Sequence, residues 1–147
     1  MRSSSPALPR VGDVVRYVYL WSHEHDAGRE DGTKDRPATV VAVAVTNEGG
    51  GDVFVFPITS AAPSEPGAGL EIPAAARARL GLQPEPCWVL VSEANRFGWP
   101  GPDVRPIGSA DGSFTYGTLP EGFMRRLKEA FATRLKTQKT RIIHRTE

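Results

Sequence analysis

Arg36 stands directly before Pro37 and a run of β-branched residues, and Thr59 closes a second apolar run in Pro57-Ile58-Thr59-Ser60. A guanidinium stays charged and presents a planar fork of donors that matches a phosphate or carboxylate, so an arginine at a strand mouth makes an anion clamp. A threonine hydroxyl beside it adds one more hydrogen bond to the same anion. Each residue also has a structural use, the arginine as a solvated edge charge and the threonine as a turn cap. Neither is specific alone, and their value depends on the elements that bring them together.

Ala38 to Val45 is almost unbroken in β-branched and small apolar residues, the pattern of a central strand buried on both faces. Asn47 to Asp52 is a glycine-rich turn, and Val53 to Ile58 pairs back as an antiparallel hairpin. Antiparallel partners begin and finish together, which sets Arg36 and Thr59 at the same end of neighbouring strands. Upstream, Val14 to Trp21 reads as a strand with Val15, Tyr17, Tyr19 and Trp21 on one face. Ser22 to Asp35 has no periodicity and is expected to be a long polar loop, a candidate lid over the clamp.

Downstream, Pro73 opens a short helix through Leu80 that Gly81 stops, and Trp88 to Val91 is another strand. Arg96 to Pro106, broken by prolines and glycines, predicts only a turn and a short strand. Thr118-Leu119-Pro120-Glu121 reads as a capping box before a helix on which Phe123, Leu127, Phe131 and Leu135 recur every fourth residue. Short strands with two helical additions describe a mainly β protein with helices, a small barrel decorated by a short inserted helix and a C-terminal helix.

A chain of 147 residues fits one domain, here 11–135, preceded by a loose segment 1–10 and followed by a basic tail 136–147. The net charge of +1 argues against a uniformly basic surface. Arg125, Arg126, Lys128, Arg134, Lys136, Lys139, Arg141 and Arg145 nevertheless concentrate near the end, with Glu129 between them, and such a stretch can track a phosphate backbone. His144 is expected to be exposed there. The single cysteine, Cys87, excludes an internal disulfide and a cysteine metal cluster. No apolar run reaches the roughly 18 residues of a membrane span, and Met1 to Arg10 lacks the apolar core of a signal peptide, so cytoplasmic residence without membrane contact is expected.

Taken in order, Gly12-Asp13-Val14-Val15, Arg36-Pro37 with its valine-rich strand, and Val55-Phe56-Pro57-Ile58-Thr59-Ser60 resemble the PemK/MazF family of bacterial toxins. Glu93-Ala94-Asn95-Arg96 is similar to that family's acidic-Gln-apolar-basic segment, Arg105-Pro106-Ile107-Gly108 to its next strand, and Leu119 to Leu135 to its C-terminal helix. The resemblance implies an SH3-like barrel, a homodimer, and a metal-independent endoribonuclease acting on single-stranded RNA under restraint by an antitoxin. It implies Arg36 and Thr59 as catalytic residues, with the ribose 2′-hydroxyl attacking the adjacent phosphate. An arginine is a poor proton acceptor, so Arg36 is assigned to charge stabilisation, and His23 or His25 has the pKa range for proton transfer if the long loop folds over the site. Lys34, Ser60, Arg96, Trp99, Arg125 and Arg126 are the expected RNA contacts, and no cofactor is implied.

This sequence departs from the family pattern in three places. The loop is lengthened as far as Asp35, His25 stands at the family's glutamine, and Ala94 and Asn95 replace a glutamine and an apolar residue. His23-Glu24-His25-Asp26 has metal-ligand residue types at a spacing that matches no standard site, and metal-dependent hydrolysis there is one alternative function. Another is a catalytically inactive barrel that binds nucleic acid or a partner protein through its basic end. Ile72 to Leu82 also resembles a segment of AbrB-type swapped-hairpin DNA-binding domains, although proline at helix entry and glycine at helix exit account for most of that likeness.

Overall fold

The computed structural model describes residues 8–28, 32, 35–45, 50–99, 101, 104–105, 115–137 and 139–145. Its strands are β1 (Asp13–Val18), β2 (Asp35–Val45), β3 (Gly51–Thr59), β4 (Gly69–Glu71), β5 (Trp88–Leu90), β6 (Glu93–Trp99), β7 (Val104–Arg105), β8 (Thr115–Thr118) and β9 (Arg141–His144). The helices are α1 (Ser22–Asp26), α2 (Ala74–Leu80) and α3 (Glu121–Lys136). The protein is mainly β, and one sheet joins all the described strands. Its spine runs β4-β5-β3-β2-β1-β7, with β6 added to β3, β8 to β1, and β9 to β6. Every pairing is antiparallel except β6 with β9.

Alternation along β1 and β2 divides the core in two. Val14 and Val41 turn to a cluster with Phe56, Ile58, Ile72 and Leu80 that Phe123 and Leu127 of α3 cover. Val15, Tyr17, Ala38 and Val40 turn to the other face, where they meet Val53, Val55, Phe97 and Trp99. Side chains of a strand alternate between faces, so one strand serves both clusters. Val41 turns to the first cluster by ordinary alternation after Val40, and the register shift of the β2–β3 ladder between Val40 and Ala42 then returns Val43 to the second. Tyr17 of β1 and Phe97 of β6 stack with ring centroids 4.6 Å apart although their strands do not pair, so the sheet curls over its second face.

That curl is not a closed barrel: among the described residues no backbone ladder joins its two ends. Side chains make the seam instead. The Asn95 amide, fully buried, accepts from Leu20 N–H and donates to Leu20 C=O, both at 2.9 Å, as a peptide unit of a neighbouring strand would. Arg145, only 3% exposed, donates through Nη1 to Asn95 Oδ1, Tyr17 Oη and Val18 O.

Several expectations need correction. The first strand ends at Val18, because Leu20 is taken up by the Asn95 side chain. The expected loop after Trp21 begins with α1, where Trp21 N–H donates to Glu24 Oε1. Glu93–Trp99 is a full strand rather than a broken corner, since β3 and β9 pair with it on either side. No capping box opens α3: Pro120 is the N-cap, and the Thr118 hydroxyl donates to Asp13 Oδ1 at 2.7 Å. Leu135 is exposed at the end of that helix. Within the expected tail 136–147, Arg141–His144 form β9 and Arg145 is buried, while residues 138, 146 and 147 lie outside the described residues. Of the loose segment 1–10, residues 1–7 lie outside the described residues, and Leu8 packs on the second cluster. No helix among the described residues is long and apolar enough to cross a membrane.

Candidate active site

The β2–β3 register pairs Ala38 with Pro57, and carried on by two residues it sets Arg36 across from Thr59. On its other side Arg36 is opposite Tyr17. Arg36 therefore shares the face of Ala38 and Val40, and lies beyond the end of their cluster, where the sheet opens. Its guanidinium carbon sits 5.0 Å from the Trp21 ring centroid, a cation–π contact worth about 0.5–2 kcal/mol. Arg36 Nε is buried without a hydrogen-bond partner. Arg77, Arg96, Arg134 and Arg145 share that Nε condition, but each bonds elsewhere through Nη1 or Nη2. Burial pushes the Arg36 pKa down from its usual value, and the nearby Glu24 carboxylate opposes that shift in part. A partly desolvated cation without an ion-pair partner gains most from an incoming anion.

Thr59 and Ser60 line one cleft with Arg36, and a second cleft joins Thr59 to Trp21 and His23. The Thr59 Oγ1 accepts from Ala61 N–H at 3.1 Å, which fixes the oxygen and leaves the hydroxyl hydrogen to donate. His23 is exposed, with its ring nearly parallel to Trp21 at an 18° interplanar angle. The structure thus gathers Arg36, Thr59, Ser60 and His23. His25 is directed to Asp26, at 3.8 Å, and lines neither cleft.

The segment Trp21–Asp26 that carries His23 is held from below. Glu93, at the start of β6, accepts from Ser22 N–H, the Ser22 hydroxyl and the Tyr19 hydroxyl. Burial dominates there and pushes the Glu93 carboxyl above its usual range, against those donors and the nearby His23. Tyr19 is driven well up by burial and by the Glu93 charge. Arg141 of β9 grips Asp26 with Nη1 and Nη2, at 2.7 and 3.1 Å. Glu93, Asn95, Arg141 and Arg145 are positioning residues that sequence reasoning did not find. The sequence shows Glu93 and Asn95 only within the Glu93-Ala94-Asn95-Arg96 segment and Arg141 and Arg145 only within a basic stretch, since contacts separated by 71 to 128 residues leave no local pattern.

The remaining expected RNA contacts lie elsewhere. Arg96 is paired with Asp52 at 2.7 Å and covers Phe54, near the far end of β3 from Thr59. Trp99 belongs to the second core cluster, so it is no exposed stacking platform. Arg125 and Arg126 are exposed on α3, and neither lines a cleft with Thr59. Lys34 lies outside the described residues. The basic stretch is thinner than its sequence suggests: Arg134 is buried against Glu65 and Lys139 O, Arg145 is buried, and Arg141 is paired. His144 is exposed, though on β9. Among the described residues no three His, Cys, Asp or Glu side chains gather in metal-binding geometry. No protein-family model matches the chain, and no curated protein matches it.

Proposed function

We propose that this chain is a PemK/MazF-like endoribonuclease, an SH3-like toxin fold that cuts single-stranded RNA without a metal. It would act in the cytoplasm as a homodimer restrained by an antitoxin. The observation that carries the reading is the Arg36 guanidinium, half-buried beneath Trp21 without a hydrogen bond and one strand away from the Thr59 hydroxyl. In the proposed reaction Thr59 donates to a non-bridging phosphate oxygen and Arg36 stabilises the charge that builds on pentacoordinate phosphorus. His23 takes the 2′-hydroxyl proton as the new O–P bond forms. The imidazolium returns that proton to the departing 5′-oxygen, leaving a cyclic phosphate and a free 5′-hydroxyl. The alternative of an inactive binding module gains little support from a basic end whose Arg134, Arg141 and Arg145 already have partners.

The test is cleavage of single-stranded RNA by the purified protein with a chelator present, followed by analysis of the product ends. Arg36→Ala and Thr59→Ala are each expected to slow cutting at least about 100-fold, and His23→Ala by about 100-fold or more. Absence of cutting, cutting that survives both Arg36→Ala and Thr59→Ala, or loss of cutting with chelator would overturn the proposal.

A further inference from the structure

The cleft of about 330 Å³ that Thr59 shares with Arg36, and that His23 does not line, is bounded by polar Asp35, Ser60 and Gln83, by the Tyr116 ring, and by Ile58, Leu82 and Cys87, of which Ile58 and Cys87 are buried. Two backbone devices shape it. The β1–β8 ladder pairs Val14 with Gly117 and Val15 with Thr115, which leaves Tyr116 as the extra residue of a bulge. A bulge re-aims the side chain it carries, and here that ring forms part of the cleft wall. Gly117 allows this with φ +136°, and a Cβ there would come within 2.6 Å of Leu80. Another part of the lining follows the left-handed C-cap of α2 at Gly81, with φ +70°, after which the chain turns out to present Gln83.

Buried apolar side chains, an aromatic ring and a few polar groups suit a flat heterocycle with hydrogen-bonding edges. Arg36, Thr59 and Ser60 also line this cleft, so a ring bound there sits next to whatever anion the clamp holds. We infer that this cleft is a nucleobase subsite, which takes the base beside the phosphate at Arg36 and Thr59 and reads its edge through the Gln83 side-chain amide. Gln83 is exposed at the rim, with both a donor and an acceptor to offer. This inference rests on the nuclease reading above and adds to it the residue that selects the cleavage sequence.

The experiment pairs NMR titration of the protein with the four nucleoside 3′-monophosphates and sequencing of the ends produced from a randomised RNA. The wild type is expected to bind one base about tenfold more tightly than the poorest, the scale of one good hydrogen-bonded contact. Gln83→Ala should flatten that spread to less than about threefold, and Gln83→Glu, which exchanges a donor for an acceptor, should change the preferred base. Thr59→Ala should weaken all four alike. Equal binding of the four bases by the wild type, or an unchanged preference in Gln83→Ala, overturns the subsite. Base preference that depends on Gln83 without any RNA cleavage supports the subsite and removes the nuclease. Cleavage with an unaltered sequence preference in Gln83→Ala does the reverse.

Discussion

Replacing Asn95 tests whether a side chain closes the curl of the sheet. Its amide is fully buried and satisfies both the N–H and the C=O of Leu20, itself only 2% exposed. Asn95→Ala strands two buried backbone groups at about 1–3 kcal/mol each, for a total loss of about 4 kcal/mol. Arg145 keeps its bonds to Tyr17 Oη and Val18 O, so its charge is not abandoned. For a chain of this size such a loss lowers the melting temperature by roughly 8–16 °C. Asn95→Leu keeps the branched shape and the heavy-atom count, with somewhat more bulk, and removes the polar groups, so it should retain most of the loss seen with alanine. Equilibrium unfolding in urea with unchanged m-value is the assay. A loss below about 1 kcal/mol in Asn95→Ala, the net worth of one ordinary hydrogen bond, would refute the view that this amide stands in for a strand. Substantial destabilisation by alanine but none by leucine would assign the effect to packing instead.

Two further outcomes follow from groups already described. The Glu93 carboxyl is raised from its usual 4.5, so the folded protein holds that proton more tightly than the unfolded chain does. Its contribution to unfolding free energy should therefore fall as pH rises from the unfolded value through the raised folded one and be level on either side. Glu93→Gln should remove that slope, visible as the pH dependence of the difference in urea midpoint between the two proteins; an identical slope in both would show that another group titrates. Gly117→Ala should cost about 2–4 kcal/mol, because it combines a positive φ with a Cβ that meets Leu80 at 2.6 Å, and a neutral effect on the urea midpoint would mean that the bulge readjusts freely.

The sequence displays the hairpin and its pair of polar residues plainly, because β-branched density, a glycine-rich turn and antiparallel pairing are all local or follow from locality. The same holds for α2, bracketed by Pro73 and Gly81. Where a side chain had a distant competitor, local rules misled. Thr118 reads as half of a capping box, yet Asp13, 105 residues away in sequence, takes its hydroxyl. Trp99 stands among the expected RNA contacts, yet the curl of the sheet folds it into the core. α1 spans five residues, too short for a helical period to show. Arg134 and Arg145 belonged to a uniform basic run, and only long-range partners distinguish them from its solvated members.

The seam at Asn95 also orders events in time. Leu20 and Asn95 lie 75 residues apart, and Arg145 reaches Tyr17 across 128. During synthesis, strands β1 to β3 can pair well before Arg141 and Arg145 leave the ribosome, since their ladders need nothing from the end of the chain. Until Arg141 arrives, Asp26 lacks its two guanidinium bonds, and the segment bearing His23 depends on Glu93 of β6 for its long-range hydrogen bonds. Residues made more than a hundred positions later thus complete the setting of His23, and the nascent protein passes through a stage in which β1 to β3 are paired while Arg141 has yet to grip Asp26.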